Sequence, residues 1–190
     1  MLKKIAIFAS GSGSNAENIV LHFNQNPNIK VSLILTNNSK AGVLDRAKRL
    51  NVPATVFTAK EFKETNVILS LLKECDIDFV VLAGFLLKVP DSLIKAYPNR
   101  IVNIHPALLP KYGGKGMYGS RVHETVVAAG ENESGITIHY INEHYDEGNI
   151  IFQSKCEISP SDAPDDVAHK VHELEYKYYP SVIEDLINHI

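Results

Sequence analysis

Two stretches of the chain combine residue types that could do chemistry. The first, residues 10–16, reads Ser-Gly-Ser-Gly-Ser-Asn-Ala and lies between an apolar run and a helix-like segment. Glycines let the backbone approach an anion closely, and a helix N-terminus offers unpaired N–H groups and a favourable dipole. This glycine loop therefore predicts an anion site, and a phosphate group suits it.

The same loop satisfies the looser form of the dinucleotide fingerprint, with Gly11, Gly13 and Ala16 at the required spacing. That fingerprint also needs an acidic residue about 20 positions later to hold a ribose hydroxyl. The second apolar run ends instead in Thr-Asn-Asn at residues 36–38. The sequence therefore favours the phosphate of another ligand, and a plain tight turn capped by Ser or Asn is the alternative.

The second stretch is Ile-Val-Asn-Ile-His-Pro at residues 101–106. Asn103 and His105 lie two residues apart at the end of a predicted strand, so both point to the same side. Burying each costs about 1–3 kcal/mol unless it finds a partner. An Asn amide can donate to a developing oxyanion and a His can shuttle a proton. The pair predicts a catalytic site, with two satisfied structural polar groups as the alternative.

Weaker candidates occur in the later part of the chain. Residues 143–148 read Glu-His-Tyr-Asp-Glu-Gly, and their acids could support His105 electrostatically, although Asp-x-Gly is also ordinary turn chemistry. His139 alternates with apolar residues, which favours a core or supporting histidine. The eight histidines form no His-x3-His pattern, so no metal site is expected.

These residues need a scaffold that brings strand ends together. Continuous apolar runs at residues 5–9, 31–36, 79–83 and 101–104, with a weaker run at 52–57, alternate with helix-like segments at 16–26, 43–50, 66–74 and 91–96. Such alternation predicts a parallel sheet covered on both faces, with ligands at the carboxyl ends of its strands. The expected fold class is α/β, an open doubly wound, mostly parallel sheet with a Rossmann-like N-terminal half.

The pattern changes after Pro106. Residues 106–119 are rich in Pro and Gly, and a helix follows at 122–129. Runs at 135–141 and 150–157 predict an antiparallel addition to the sheet. A closing helix is predicted from Pro164, with Pro180 interrupting it before residues 182–190. The predicted face of that helix consists of Val167, Val171, Leu174 and Tyr178.

Composition sets the class of protein. The chain has 190 residues, 45% apolar and 22% charged, which fits a single domain over residues 1–190. A net charge of −3 does not indicate nucleic-acid binding. We expect no membrane span, no cleavable signal, and free thiols at Cys75 and Cys156, as in a reducing cytoplasm. A monomer or a homodimer is expected.

Four motifs occur together in chain order: Gly-Ser-Asn at 13–15, Val-Leu-Ala-Gly-Phe at 81–85, Asn-Ile-His-Pro at 103–106 followed by Leu-Leu-Pro-Lys-Tyr at 108–112, and Asp146-x-Gly148. Over nearly the whole chain these motifs resemble the phosphoribosylglycinamide formyltransferases of the folate-dependent formyltransferase superfamily. The resemblance implies the formyltransferase fold. It also implies transfer of the formyl group of 10-formyltetrahydrofolate to the glycyl amine of glycinamide ribonucleotide, in de novo purine biosynthesis, through a tetrahedral oxyanion.

The resemblance also implies site residues. The ribonucleotide would be held by Gly13, Ser14, Asn15 and Glu175. The folate would be held by Leu86, Leu87, Lys88, Val89, Asn103 and Ile141, within the 86–89 and 141–146 segments. The catalytic trio would be Asn103, His105 and Asp146, with the first two stabilising the oxyanion and a water on Asp146 relaying the proton. Residues 113–119 depart from the family pattern, and Lys60 and Lys63 are the candidates for the folate glutamate tail.

Two other functions stay open from the residues. A hydrolase could use the same trio with water as nucleophile to release formate from formyltetrahydrofolate, but it would need no phosphate loop. A Rossmann-type nucleotide-binding module would bind a dinucleotide without turnover, and the missing acid after Thr36 counts against it.

Overall fold

Strands and helices alternate along the chain in a computed structural model that describes residues 2–144 and 146–190. The strands are β1 (Lys3–Phe8), β2 (Ile29–Thr36), β3 (Ala54–Val56), β4 (Phe79–Leu82), β5 (Ile101–His105), β6 (Glu133–Tyr140) and β7 (Ile150–Glu157). The helices are α1 (Ser14–Phe23), α2 (Val43–Arg49), α3 (Ala59–Glu64), α4 (Val67–Glu74), α5 (Asp91–Ala96), α6 (Ser120–Ala128) and α7 (Pro164–Asn188). In this part of the chain no helix is long and apolar enough to cross a membrane.

The strands form one seven-stranded sheet in the order β3-β2-β1-β4-β5-β6-β7. The first five strands are parallel, whereas β6 pairs antiparallel with β5 and β7 antiparallel with β6. The winding direction reverses between β1 and β4, and ligands of open α/β sheets bind in the crevice at such a switch point. The predicted fold class, including its antiparallel addition, is confirmed.

Both faces of the central parallel strands β1, β4 and β5 are largely buried, which explains their continuous apolar runs. Ile5 and Ile7 point into a core shared with α1, α2, α6 and α7. Ala6 and Phe8 point the other way, into a core shared with α3, α4 and α5. Successive side chains of a strand alternate between faces, so a sheet covered on both sides needs apolar residues at every position. The two free cysteines are half-buried on opposite faces, Cys75 beside the second core and Cys156 beside the first.

Helix α3 was not predicted from the sequence. It buries only Phe62, so it shows no apolar periodicity. Its sequence signal is a capping box, in which the Glu61 N–H donates to Thr58 Oγ1 at 3.1 Å and the Thr58 N–H donates to Glu61 Oε2 at 2.7 Å.

The prediction that Pro180 interrupts the last helix is wrong, because α7 continues through it. A proline inside a helix leaves the carbonyl four residues earlier without its N–H donor. Here that carbonyl, on Tyr176, accepts a hydrogen bond from Asn18 Nδ2 at 2.9 Å. A side chain of α1 therefore replaces the bond that the proline removes.

The buried stripe of α7 also differs from the predicted face. Val167 and Val171 are buried as expected, but Leu174 and Tyr178 are only half-buried. The stripe continues through Glu175, Tyr179, Ile183 and Ile187. The Tyr179 hydroxyl donates to the Leu82 carbonyl at 2.8 Å and lies 3.3 Å from the Val102 carbonyl, so α7 ties the ends of β4 and β5 together.

Candidate functional site

A cavity of about 660 Å³ lies at the carboxyl ends of β1, β4 and β5, and we call it the main cavity. Its walls come from distant parts of the chain: residues 11–15, 83–86, 103–106 and 114–120, together with His123, Asp146, Ala168, His172 and Glu175. A smaller recess of about 70 Å³, the side recess, adjoins it and shares Phe85, Leu86, Asn103 and Asp146 with its lining. The structure thus brings the glycine loop and all three predicted catalytic residues to one place.

The glycine loop enters α1 through Gly13, whose φ is 76°. A Cβ added at Gly13 would lie 2.4 Å from Val43 Cγ2, so both the conformation and the packing require glycine. The loop is braced by α2, because the Val43 N–H donates to the Gly11 carbonyl at 3.2 Å and Arg46 Nε donates to the Ser12 carbonyl at 2.8 Å. Within the described part of the chain no side chain caps the N-terminus of α1, which leaves its first N–H groups for an anion.

Asn15 and Glu175, both predicted to hold a ribonucleotide, contact each other across the cavity wall. Asn15 Nδ2 donates to Glu175 Oε2 at 2.8 Å, although 160 positions separate them in sequence. Glu175 is only 5% exposed, and this burial raises the pKa of its carboxyl group. His172 Nε2 lies 3.8 Å from the same Oε2 atom. Asn15 Oδ1 is buried and has no hydrogen-bond partner among the described residues.

Asn103 is oriented by a histidine on the neighbouring strand. His139 lies opposite Asn103 in the β5–β6 register, and its Nε2 lies 3.2 Å from Asn103 Nδ2. His139 Nδ1 lies 2.9 Å from the Tyr140 carbonyl, which can only accept, so we assign the proton to Nδ1 and the lone pair to Nε2. Complete burial lowers the pKa of His139 and keeps the ring neutral. Asn103 therefore donates one amide N–H to His139, and its other amide N–H has no partner among the described residues.

His105 and Asp146 approach each other beside Asn103. His105 Nε2 donates to the Tyr112 carbonyl at 2.7 Å, so its Nδ1 lies on the side of Asp146, 3.7 Å from Oδ2. The other carboxylate oxygen, Oδ1, is 3.6 Å from His139 Nε2. The Gly114 N–H donates to Asp146 Oδ2 at 2.9 Å, which fixes the carboxylate. Asp146 thus lies between two imidazoles at the wall of the main cavity.

All predicted folate residues line the side recess: Leu86, Leu87, Lys88, Val89, Asn103 and Ile141. The predicted 141–146 segment contributes Ile141, Asn142, His144 and Asp146 to this lining, and its residue 145 lies outside the described residues. Residues 114–119, within the segment that departs from the family pattern, line the main cavity. Lys60 and Lys63, the candidates for the glutamate tail, are exposed on α3 and line neither space.

Ser10, the first residue of the glycine loop, makes contacts that were not predicted from the sequence. It is 7% exposed, and its hydroxyl donates to Asn37 Oδ1 at 2.6 Å while accepting the Leu86 N–H at 3.0 Å. The Ser10 N–H donates to the Gly84 carbonyl at 3.0 Å. Ser10 therefore joins the glycine loop to the segment that borders the side recess. The sequence signal for Ser10 is that this polar residue comes directly after a buried apolar strand.

Two cavity histidines were also missed. His123 on α6 is 4% exposed, and burial together with the charges of His172 and His105 lowers its pKa to about 4. Its Nδ1 has no hydrogen-bond partner among the described residues. His172 on α7 is half-exposed. The only signal for His123 was its place beside Val122 on the apolar face of α6.

The sheet and the cavity define a doubly wound α/β protein with a ligand site at the switch point and a polar centre of Asn, His and Asp beside it. Residues 3–183 match the sequence model of the formyl transferase family. The chain belongs to the formyl transferase family, and the predicted resemblance is confirmed.

Relatives of known function and structure resemble the chain over most of its length. It is 39% identical over 187 residues to the chloroplastic phosphoribosylglycinamide formyltransferase of Arabidopsis thaliana, covering 95% of this chain and 64% of that protein. It is 35% identical over 191 residues to phosphoribosylglycinamide formyltransferase of Bacillus subtilis, covering 98% and 95% respectively. The chain therefore spans less than two thirds of the plant relative and nearly all of the bacterial one.

Solved structures of formyltransferases also superpose on this chain over nearly its whole length. The crystal structure of phosphoribosylglycinamide formyltransferase from Streptococcus pneumoniae superposes with a TM-score of 0.86 at 38% identity, covering 98% of this chain and 99% of that one. Glycinamide ribonucleotide transformylase 1 from Geobacillus kaustophilus superposes with a TM-score of 0.89 at 36% identity, with the same coverage. The fold is therefore that of these formyltransferases.

Proposed function

We propose that the chain transfers the formyl group of 10-formyltetrahydrofolate to the glycyl amine of glycinamide ribonucleotide, a step of purine biosynthesis. The names of its bacterial and plant relatives support this proposal. The observation that carries it is the convergence of Asn103, His105 and Asp146 at the junction of the main cavity and the side recess. A group transfer between two substrates needs such a junction between two binding spaces.

The ribonucleotide would occupy the main cavity. Its phosphate would bind the free N–H groups of the glycine loop at Gly13, Ser14 and Asn15, where the α1 dipole favours an anion. Glu175 would meet the ribose hydroxyl groups, because its carboxyl lies beside Asn15 at the same wall. The glycyl amine would then extend toward Asn103 and Asp146.

The folate would occupy the side recess with its formyl group at the junction. Residues 86–89 and Ile141 form part of its walls, and Leu86, which lines both spaces, is half exposed. Asn103 and Asp146 belong to the lining of both spaces. A formyl carbon placed there would lie within reach of an amine coming from the main cavity.

The reaction would begin when the amine lone pair attacks the formyl carbon, forming a C–N bond and a tetrahedral oxyanion. The free N–H of Asn103 and a protonated His105 would donate to that oxygen. A water held by Asp146 would take the proton of the attacking amine and deliver it to the folate nitrogen. The bond between that nitrogen and the formyl carbon would then break, leaving the formyl group on the ribonucleotide amine.

The contacts around the trio fit these roles. His139 occupies one Asn103 N–H and thereby fixes the direction of the other. The Tyr112 carbonyl holds His105 Nε2, so that Nδ1 faces the carboxylate that would balance its positive charge. These groups are preorganised before substrate arrives, which is the condition under which oxyanion donors are most effective.

The test is the absorbance change as 10-formyltetrahydrofolate loses its formyl group, recorded with and without glycinamide ribonucleotide. We expect turnover that requires the ribonucleotide and is abolished by His105→Ala. Release of formate without the ribonucleotide would indicate a hydrolase instead. The absence of turnover in both mixtures would contradict an enzymatic role and favour a binding module.

A further inference from the structure

His123 is a buried imidazole that the proposed transfer does not use. It lines the main cavity from α6, is 4% exposed, and has an Nδ1 atom without a partner among the described residues. Leaving a buried polar atom unpaired is costly, so native structures seldom keep one without a reason. A ligand that supplies the missing partner is such a reason.

A second unpaired atom lies in the wall of the same cavity. Asn15 Oδ1 and His123 Nδ1 are two of the three buried side-chain atoms that lack a partner in the described part of the chain. Contacts of 2.8 Å and 3.8 Å connect Asn15 through Glu175 to His172, whose charge acts on His123. The two unpaired atoms therefore belong to residues that line the same cavity as the glycine loop.

The charged residues that share the cavity with His123 indicate which kind of ligand would bind beside it. The titratable and charged residues that line the main cavity with His123 are His172 and Glu175 from α7, His105 from β5, Asp146 from the loop after β6, and Lys115 and Tyr118 from the loop before α6. Arg121 and Glu124 lie near it in sequence on α6 itself. Burial and the charges of His172 and His105 keep the free imidazole neutral at pH 7, because its pKa is lowered to about 4. A bound anion would reverse this preference, since an opposite charge favours the imidazolium form.

We propose that His123 binds the phosphate-bearing end of the ribonucleotide and takes up one proton from solvent when that end binds. This inference rests on the proposed function, because it takes the ribonucleotide as the occupant of the main cavity. The imidazolium has two N–H donors, one of which would meet the phosphate. Ligand affinity would then rise as the pH falls, by up to about tenfold per pH unit for one linked proton.

Isothermal titration calorimetry with glycinamide ribonucleotide alone tests the inference without turnover. Titrations at pH 7 in PIPES and in Tris, whose ionisation enthalpies differ, measure the protons taken up on binding. We expect uptake by the unmodified chain, and for His123→Asn a loss of this uptake with about tenfold weaker binding. His169→Asn is the matched control, because His169 is an exposed histidine of α7 and should leave both quantities unchanged.

The phosphate itself also exchanges protons, since the second pKa of a phosphate monoester is about 6. Comparing the unmodified chain with His123→Asn cancels this contribution because the ligand is the same. The ribonucleoside without its phosphate is the second control, and we expect it to bind without His123-dependent uptake. Equal uptake with and without the phosphate, or equal uptake and affinity in the variant, would overturn the inference.

Nuclear magnetic resonance titration of the His123 ring in the unmodified chain keeps the test independent of the folding of the variant. We expect the pKa of His123 to rise from about 4 to about 7 or above when the ribonucleotide binds, as the uptake of a proton at pH 7 requires. An unchanged pKa in a saturated complex would overturn the role of His123 and leave the proposed function standing. Failure of the unmodified chain to bind the ribonucleotide at all would overturn both.

Discussion

The main cavity has two ends that differ in how their polar atoms are satisfied. At the transfer end, which consists of Asn103, His105 and Asp146, each side chain already has a partner in the protein: His139, the Tyr112 carbonyl and the Gly114 N–H. At the ribonucleotide end, which consists of the glycine loop, Asn15, His123, His172 and Glu175, two buried atoms have no partner among the described residues.

The difference between the two ends fits two tasks, which are stabilisation of a short-lived charge and binding of a stable ligand. Groups that stabilise a short-lived charge work best when they are held in place beforehand, since then nothing has to reorganise during the reaction. Groups that bind a stable ligand can be left incomplete, because the ligand itself supplies the missing hydrogen bonds. We therefore expect substitutions at the transfer end to lower kcat and substitutions at the ribonucleotide end to change affinity and proton binding.

The largest effect is expected at the transfer end from Asn103→Ala. Loss of one oxyanion donor typically costs about 2.7–4 kcal/mol, so kcat should fall by about 10²–10³-fold. The KM for the ribonucleotide should change little. Steady-state kinetics in the absorbance assay measure both. A loss confined to KM would place Asn103 in binding and break the contrast between the two ends.

The next effect concerns His123 and the stability of the fold at acid pH. The unfolded chain binds a proton at this residue below its ordinary pKa of 6.5, whereas in the folded chain the pKa is lowered to about 4. Protonation of His123 therefore favours unfolding. The contribution of His123 to the free energy of unfolding is fully present above pH 6.5. It is lost as the pH falls from 6.5 toward 4, by up to about 3 kcal/mol.

Urea unfolding between pH 4 and pH 7 measures this contribution. His123→Asn should remove it, so the stability of the variant should depend less on pH than that of the unmodified chain over this window. Taking the difference between the two chains cancels the contributions of the other titrating groups. Parallel curves would show that His123 is not held neutral by burial.

A smaller effect is expected from Gly13→Ala in the glycine loop. The left-handed conformation costs a non-glycine residue about 1–3 kcal/mol, and the added Cβ would meet Val43 at 2.4 Å. The loop should shift and the Kd for the ribonucleotide should rise at least tenfold, as measured by calorimetry. Gly130→Ala is the matched control, since Gly130 has a φ of 68° and open space around it, and it lines neither the main cavity nor the side recess. An unchanged Kd would exclude the loop as the phosphate site.

The smallest effect is expected from Ser10→Ala, which removes the hydroxyl between Asn37 and the Leu86 N–H. A hydrogen bond of this kind contributes about 1 kcal/mol, so the KM for 10-formyltetrahydrofolate should rise about fivefold with kcat nearly unchanged. Ser181→Ala, at an exposed serine of α7, serves as the control. Equal KM values in both variants would mean that Ser10 does not position the side recess.

Much of the sheet could be predicted because its signal is local. Strand β4 lies within the predicted run at residues 79–83, since a strand covered on both faces is apolar at every position. Helix α3 escaped prediction because only Phe62 is buried in it. The continuity of α7 through Pro180 could not be predicted, since it depends on an amide from α1 that replaces the lost backbone bond.

The residues of the site also differ in whether they could be predicted from the sequence. Asn103 and His105 could be singled out because polar residues at the end of an apolar strand are costly unless they find partners. His123 could not, because its sequence neighbours on α6 are ordinary for an amphipathic helix. Only the packing of α6 against α7 makes this histidine buried and leaves its Nδ1 unpaired.

Residue types at short spacing specify the doubly wound class of the sheet, the glycine loop at its first turn and the polar pair at the end of β5. The meeting of distant groups depends on the folded packing: Asn15 contacts Glu175 across 160 positions, and Ser10 contacts Leu86 across 76. Such contacts form only when helices and loops pack over the sheet. No local pattern of residues encodes that packing.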